Sequence, residues 1–544
     1  MRSSQCLKRL IARASCSLLV VSWFAFGALA AHASTGKSCA QIAQMSLTAG
    51  RVLESSEVAA GAFAPPPTAN GAKSPDFAKL PDFCRVRARL MPSPDSDIVI
   101  EIWLPRQGWN GRFVAVGNGG FQSSFQYTGL AAALASGYAA AGSNAGHDSD
   151  NAAFTFGHPE KLIDWGYRAI HEMTVAAKQI VREHYGRAAD YSYWDACSTG
   201  GRQGLNAAER YPEDFDGLAI GAPANPMTRL QLASLWNNLA VNRSAESYLT
   251  RDAWQMIHVA VLAECDAADG LADGLINDPT RCRFDPAELA CKAGQAGPCL
   301  SGPQIVALNA IYGGARNPRT GAQIYPGWAP SFEGNMPGPT AGKVPQQDAI
   351  DTFRAIFDQP GWDYHRVDFD SIVAASDARG NATINAADPS RLGKLFRHGG
   401  KILMYHGWND VGISALGSLD YYQRAVSANG GEQAMKDSIR LFLAPGMNHC
   451  EGGDGPNQFD KLAALAAWVE RGRAPDRIDA AHYTSAGRVD RTRPLCPYPK
   501  VAVYSGSGSI DDASNFQCGT TPAARGAAAH APDQDGRNSQ GQRS

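Results

Sequence analysis

The sequence predicts an α/β fold, in which helices cover both faces of a mostly parallel sheet and a large insertion interrupts the sheet. Short apolar runs typical of buried strands alternate with helical patterns up to residue 225. That alternation is lost over 226–389, where glycine and proline are frequent and four cysteines lie, and it returns after residue 390. We therefore expect a core formed by 34–225 and 390–518, with an inserted lid domain over 226–389.

The N-terminus has the pattern of a secretory signal peptide. Basic residues precede an apolar stretch over 18–29, and the triplet Ala-His-Ala at 31–33 matches a cleavage site. The apolar stretch is too short to span a bilayer comfortably, and no later stretch is longer and as apolar. We expect residues 1–33 to be removed, which leaves a secreted or periplasmic protein with no membrane segment.

The overall composition is that of an ordinary globular protein. The 544 residues carry a formal net charge of −2, and 44% of them are hydrophobic, so the charge pattern does not favour binding to nucleic acid. Residues 519–544 contain no aromatic or large aliphatic side chain, and we expect them to form a disordered tail.

Twelve cysteines are present, and ten remain once the predicted signal peptide is removed. An even number of cysteines in an exported chain indicates disulfide bonds. Zinc binding is the competing interpretation, but the sequence contains no C-x-x-C pair, so disulfides are favoured.

The first predicted strands lead to a glycine-rich loop. Asp97–Leu104 alternates like a strand, and Arg112–Val116 is a second strand that runs directly into Gly-Asn-Gly-Gly at 117–120. A glycine run after a strand allows backbone N–H groups to approach a ligand closely, although a plain glycine-rich turn would look the same. Leu130–Ala141 then predicts a helix followed by a short strand, and 161–185 has helical periodicity.

Residues 191–204 predict a strand, a tight corner and a helix. Tyr191–Trp194 is an aromatic strand, small residues follow, and Gln203–Arg210 is helical. A serine at such a corner is typical of the nucleophile elbow of α/β-hydrolases, in which the positions two before and two after the serine must be small. Ala196 stands where glycine is usual, and Ser198 is the candidate nucleophile. A purely structural turn is the alternative.

Two downstream strands place the candidate acid and base. A serine hydroxyl needs a histidine to take its proton. In this fold the acid and then the histidine follow the serine along the chain. Asp410 follows the strand at 401–405, and His449 follows the strand at 440–443. His406 is a second candidate base, although a structural role fits it better. Further predicted elements are a strand over 215–221 and a helix over 459–470.

The candidate nucleophile and base each have a cysteine neighbour. Cys197 precedes Ser198, and Cys450 follows His449. A bond between these cysteines would fasten the nucleophile to its base. The alternative is a free Cys197 that lies beside the serine or acts as the nucleophile itself.

These residues resemble the tannase and feruloyl esterase family, which also includes bacterial mono(2-hydroxyethyl) terephthalate hydrolases. The similar motifs are the glycine loop, the C-S-x-G-G elbow, the HGW-x-D segment ending at Asp410 and the His-Cys pair at 449–450. The resemblance implies an oxyanion hole formed by the N–H groups of Thr199 and of Gly119 or Gly120. It also implies four further disulfides: Cys39–Cys84, Cys265–Cys282, Cys291–Cys299 and Cys496–Cys518.

An oxygen-rich loop follows Cys265. Three aspartates and two glycines lie within nine residues, which suits a hard cation such as Ca²⁺, but an acidic Asp-Gly turn explains the pattern at least as well. The resemblance implies a structural calcium ion in the lid. Its implied ligands are the side chains of Asp266, Asp269 and Asp273 and the carbonyls of Leu271 and Leu275.

The sequence therefore predicts a serine esterase that cleaves small-molecule esters of aromatic acids, such as ferulate or gallate, through an acyl-enzyme. A mono(2-hydroxyethyl) terephthalate hydrolase is the main alternative; a catalytically silent binding scaffold, acyl transfer to an alcohol and peptidase activity also stay open. We expect Met227 and Ile413 to line the substrate cavity. Five aromatic residues are candidates either for its walls or for the lid core: Trp328, Phe353, Phe357, Trp362 and Tyr364.

Overall fold

A computed structural model describes residues 36–66, 77–294, 297–338 and 341–520. The predicted signal peptide and its cleavage site lie outside these residues, as does most of the predicted tail. Within the described residues, no helix is long and apolar enough to cross a membrane.

The core is a ten-stranded mixed sheet. Its strands are β1 (Ser46–Leu47), β2 (Gly50–Val58), β3 (Phe83–Leu90), β4 (Ile98–Pro105), β5 (Arg112–Val116), β6 (Ala139–Ser143), β7 (Tyr191–Cys197), β8 (Gly217–Gly221), β9 (Lys401–Gly407) and β10 (Ile439–Ala444). They lie in the order β1-β2-β3-β4-β6-β5-β7-β8-β9-β10. From β6 to β10 the neighbours are parallel, and from β1 to β6 they are antiparallel. The mostly parallel half holds the predicted elbow.

Two small antiparallel sheets follow the main one. They pair β11 (Ile478–Tyr483) with β12 (Val489–Leu495), and β13 (Val501–Tyr504) with β14 (Phe516–Gly519). The predicted start of the tail at residue 519 is wrong, because Gly519 pairs with Val501 at the end of β14.

The described residues form α-helices, of which only some pack against the two faces of the main sheet. The helices are α1 (Cys39–Ile42), α2 (Tyr127–Ala135), α3 (Pro159–Ile163), α4 (Ala169–Tyr185), α5 (Thr199–Arg210), α6 (Met227–Val241), α7 (Arg251–Cys265), α8 (Gly302–Gly313), α9 (Gln347–Phe357), α10 (Ile372–Thr383), α11 (Gly393–Arg397), α12 (Ala415–Ala428), α13 (Glu432–Met435) and α14 (Lys461–Arg471).

The alternation of side chains along the central strands divides the core into two layers. In β7, Trp194 joins the cluster that includes apolar residues of α4, α5 and α12, whereas Tyr193 joins the cluster that includes residues of α2 and α14. Both rings are fully buried. Side chains therefore pack against both faces of the strand before Ser198, and this packing fixes the position of the corner that follows it.

Two predicted helices differ from the observed ones. The pattern over 161–185 is split into α3, a π-helical turn at Asp164–Arg168 and α4. At this turn a Cβ on Gly166 would lie 2.1 Å from the carbonyl oxygen of Thr383, so the helical turn contacts the backbone at the end of α10. The elbow helix begins at Thr199 rather than Gln203, directly after the corner.

The segment between β8 and β9 contains α6 to α11, and most of its buried apolar residues belong to one hydrophobic cluster, which also includes Phe121 and Trp165 from before β8. Trp254, Phe332 and Phe353 are fully buried in this cluster. The division into a core and a lid domain over 226–389 stays a prediction.

Candidate active site

Ser198 lies at a strained corner between β7 and α5. Its φ of 64° and ψ of −126° are outside the regions that residues with a Cβ usually adopt. A Cβ on Gly200 would lie 2.6 Å from the Cβ of Ala196, and a Cβ on Gly201 would lie 2.4 Å from the carbonyl oxygen of Gly221. The corner therefore accepts alanine at position 196 only because residue 200 is glycine.

The glycine loop after β5 is held against the elbow helix by an amide pair. The Asn118 backbone N–H donates to Gln203 Oε1 at 3.1 Å, and Gln203 Nε2 donates to Asn118 Oδ1 at 3.2 Å. Asn118 Nδ2 also donates to the carbonyl of Ser143 at 2.8 Å. Both side chains are buried, so the pair fixes the loop relative to Ser198. The sequence reasoning did not single out this pair.

The three candidate donors of the predicted oxyanion hole are the backbone N–H groups of Thr199, Gly119 and Gly120. Thr199 is the first residue of α5, where N–H groups have no partner within the helix. Across the described ranges, no protein acceptor takes the N–H of Thr199, Gly119 or Gly120. Gly120 and Thr199 border the same cavity as Ser198, whereas Gly119 does not. This arrangement favours Gly120 over Gly119, and the oxyanion role stays a prediction.

Asp410 is fully buried and accepts hydrogen bonds with both carboxylate oxygens. Oδ1 accepts the N–H groups of Gly412 at 2.8 Å and Ile413 at 2.9 Å. Oδ2 lies 2.6 Å from His449 Nδ1 and 3.1 Å from His406 Nε2. Burial alone would raise the pKa of Asp410, but the two imidazoles lower it well below its usual range. Asp410 therefore stays ionised.

His449 is oriented by this carboxylate. Burial would lower its pKa, but the charge of Asp410 and the hydrogen bond between them raise it by more. Since Nδ1 faces Asp410, Nε2 is the nitrogen that remains to take a proton. His449 and Ser198 border one cavity, as a nucleophile and its base must.

His406 has a structural role, as the sequence interpretation favoured. It is fully buried, its Nδ1 lies 2.7 Å from Ser418 Oγ, and its Nε2 lies 3.0 Å from the carbonyl of Ile413. A nitrogen that faces a carbonyl oxygen must carry the proton, so Nε2–H also points at Asp410. His406 thus supports the carboxylate.

All five predicted disulfides are present in the structure. Cys197–Cys450 joins residues 253 positions apart in the sequence, with their Cα atoms 6.0 Å apart. Cys450, like Ser198, has a positive φ, of 65°. The bond fixes the residue before the candidate nucleophile to the residue after the candidate base.

A family model for tannase and feruloyl esterase matches residues 84–519. The chain belongs to the tannase and feruloyl esterase family. It is 37% identical to an uncharacterized esterase of Xanthomonas campestris pv. campestris, over 92% of this chain and 94% of that protein. It is 33% identical to the mono(2-hydroxyethyl) terephthalate hydrolase of Piscinibacter sakaiensis, over 86% of this chain and 88% of that protein.

The fold of this chain is similar to that of a solved feruloyl esterase structure. The crystal structure of feruloyl esterase B from Aspergillus oryzae matches with a TM-score of 0.81 and 30% identity, over 88% of this chain and 99% of that one. The family consists of carboxylic ester hydrolases, and this chain is an enzyme of that class. Its fold is the α/β-hydrolase fold that the sequence predicts.

This esterase has a cavity of about 190 Å³ at Ser198. Met227 and Ile413 line it, as expected. The five aromatic residues considered as cavity walls do not border it. Trp328 and Phe353 are buried in the hydrophobic cluster that includes Trp254 and Phe332, and Phe357, Trp362 and Tyr364 pack against that cluster. Sequence reasoning also missed Asp348, which lines the cavity from the first turn of α9, because no motif surrounds it.

The acidic loop of this family member is held mainly by its own backbone. Asp266 accepts the N–H groups of Asp273 and Gly274, and Asp269 accepts that of Leu271. Asp273 Oδ2 accepts from Arg493 Nη2 at 2.6 Å. Among the described residues, no group of three acidic, histidine or cysteine side chains converges on a point that could hold a metal ion. Calcium binding stays a prediction.

Proposed function

We propose that this chain is an exported serine esterase that hydrolyses esters of hydroxylated aromatic acids of the feruloyl or galloyl kind. The observation that carries the proposal is a single cavity bordered by Ser198 and by His449, whose Nδ1 lies 2.6 Å from the buried Asp410. This order and arrangement of serine, aspartate and histidine fit acyl transfer in the α/β-hydrolase fold.

The proposed reaction follows from the roles of these groups. The Ser198 hydroxyl attacks the ester carbonyl while His449 Nε2 takes its proton, and the same nitrogen then protonates the leaving alcohol. Asp410 stabilises the imidazolium. The N–H groups of Thr199 and Gly120 donate to the oxyanion, and each such donor contributes about 3 kcal/mol of transition-state stabilisation. Water then hydrolyses the acyl-enzyme.

Two names among the relatives support an aromatic acyl group. One is feruloyl esterase B, and the other is the mono(2-hydroxyethyl) terephthalate hydrolase, which makes the terephthalate monoester the second candidate substrate. Export is supported by the N-terminal pattern and by the five disulfides, which persist in oxidising compartments.

The function is tested with purified protein and three esters: methyl ferulate, methyl gallate and mono(2-hydroxyethyl) terephthalate. We expect hydrolysis of at least one hydroxylated ester, and stoichiometric labelling of Ser198 by a fluorophosphonate, because only an activated serine reacts with this probe. Label on another residue, or full labelling without hydrolysis of any aromatic ester, would overturn the proposal. Product analysis with added alcohol separates hydrolysis from acyl transfer.

We also propose that the loop after Cys265 binds a structural calcium ion. The donors named from the sequence are all oxygens, as Ca²⁺ prefers. The three aspartates lie within eight residues of one another on a loop that their own hydrogen bonds to Leu271, Asp273 and Gly274 fold back on itself. When bound, the ion would be held by Asp266, Asp269 and Asp273 with the carbonyls of Leu271 and Leu275.

Removal of calcium should destabilise the protein. We expect a chelator to lower the melting temperature by about 5 °C and added Ca²⁺ to restore it, because an ion bound only to the folded state stabilises that state. Asp266→Asn should abolish this response, whereas Asp252→Asn, at an exposed position of α7, should keep it. An unchanged melting curve on chelation would contradict the calcium proposal.

A further inference from the structure

Asp348 is the only acidic side chain among the described residues that border the cavity at Ser198. It lies in the first turn of α9, and its carboxylate faces the glycine loop, because a Cβ on Gly120 would lie 2.8 Å from Asp348 Oδ2. The proposed oxyanion loop and Asp348 are therefore direct neighbours. Nothing in the proposed reaction uses this carboxylate.

The Asp348 carboxylate has no hydrogen-bond partner within the part of the chain that the structure describes. Asp351, one turn further along α9, differs in this respect: it accepts from Gln347 Nε2 at 2.8 Å and from the N–H of Ala152 at 3.4 Å. Burial, and then the charge of Asp351, raises the pKa of Asp348 to about 6. Asp348 is half-buried, and a ligand that brings a hydrogen-bond donor would stabilise its partly desolvated carboxylate.

The rest of the cavity surface fits an aromatic ring with neutral polar substituents. Met227, Leu230 and Ile413 supply apolar surface, and Gln231 and Gln346 supply amide groups. No lysine or arginine borders the cavity among the described residues, so no cationic side chain of these types compensates a negative charge that the substrate would add to that of Asp348. Apolar walls with a few polar groups are typical of small-molecule sites in which the polar groups set specificity.

We propose that Asp348 determines the acyl specificity, by accepting a hydrogen bond from a hydroxyl of the aromatic acid and by repelling an acyl group that carries a carboxylate. This inference rests on the proposed esterase function. A phenolic hydroxyl is neutral at pH 7 and can donate. A terephthalate monoester is an anion at that pH, and its carboxylate would meet the like charge of Asp348, which no lysine or arginine among the described residues that border the cavity compensates.

The experiment compares two matched pairs of esters at pH 7, above the pKa of about 6 of Asp348 and below that of the phenols. Methyl gallate and its trimethoxy derivative differ in hydroxyl donors, and dimethyl and monomethyl terephthalate differ in charge. In the wild type we expect a higher kcat/KM for methyl gallate than for its trimethoxy derivative. We also expect a higher kcat/KM for the neutral dimethyl terephthalate than for the monomethyl ester. Asp348→Asn should shrink the preference for the neutral terephthalate by about tenfold, since it removes the charge and keeps the shape.

Controls separate the role of Asp348 from other causes. Asp358→Asn makes the same substitution at the exposed end of α9, where φ is 52° and asparagine is tolerated, and it should leave both ratios unchanged. Asp348→Ser serves if the asparagine variant does not fold. If the charge ratio changes by less than about twofold in a folded Asp348 variant, the assignment is wrong. If the wild type hydrolyses none of the four esters, the proposed function itself is wrong.

Discussion

Replacement of Ser198 with alanine should lower kcat on an aromatic ester by about 10⁴-fold or more, because no other group can form the acyl-enzyme. Cys197, which the sequence left open as an alternative nucleophile, is in a disulfide with Cys450 and has no thiol to ionise. The remaining rate would come from water in a site that still binds the ester and its oxyanion. Steady-state hydrolysis, with single-turnover measurement of released alcohol, checks this loss.

The backbone at the corner offers a second readout for the same residue. Ser198→Ala keeps a Cβ at a φ of 64° and therefore keeps the strain, whereas Ser198→Gly removes it. We expect both variants to be inactive and the glycine variant to melt at a higher temperature than the alanine variant. Ser124→Ala, at an exposed serine of the neighbouring loop, should keep wild-type activity. Substantial turnover by Ser198→Ala would exclude the serine mechanism.

The part of the site that follows strands could be predicted from the sequence. Ser198, Asp410 and His449 follow the ends of β7, β9 and β10 by one, three and five residues, and the parallel neighbours in the sheet bring the carboxyl ends of these strands to one edge. The hydrophobic or aromatic runs of β7, β9 and β10 were therefore enough to place these three residues at the same edge. The cysteines beside Ser198 and His449 added a second, covalent indication of the same proximity.

The part of the site that depends on lid packing could not be predicted. Asp348 reaches the cavity because α9 packs beside the glycine loop, and no periodicity or motif encodes that contact. For the same reason, aromatic composition could not decide between cavity walls and a buried core for Trp328, which is buried and donates Nε1–H to the carbonyl of Asp410 at 3.0 Å. Sequence patterns report local structure and strand order, but not which lid residue faces the substrate.

Replacement of Asp410 with asparagine should lower kcat by about 10³- to 10⁴-fold through the tautomer of His449. The N–H groups of Gly412 and Ile413 both point at Oδ1, so the asparagine carbonyl oxygen must take that position. The amide NH₂ then points at His449 Nδ1, which can only accept. The imidazole proton moves to Nε2, and Nε2 can no longer take the proton of Ser198.

The pH profile distinguishes this mechanism from simple loss of structure. Asp410 raises the pKa of His449, and activity requires neutral His449, so kcat/KM of the wild type falls as the pH drops through that raised pKa. Without the carboxylate the pKa of His449 falls, and the acid limb of the remaining activity should move to lower pH. Asp420→Asn, at an aspartate of α12 paired with Arg424, should change neither kcat nor this limb. An Asp410→Asn enzyme with the wild-type acid limb would show that Asp410 does not act through His449.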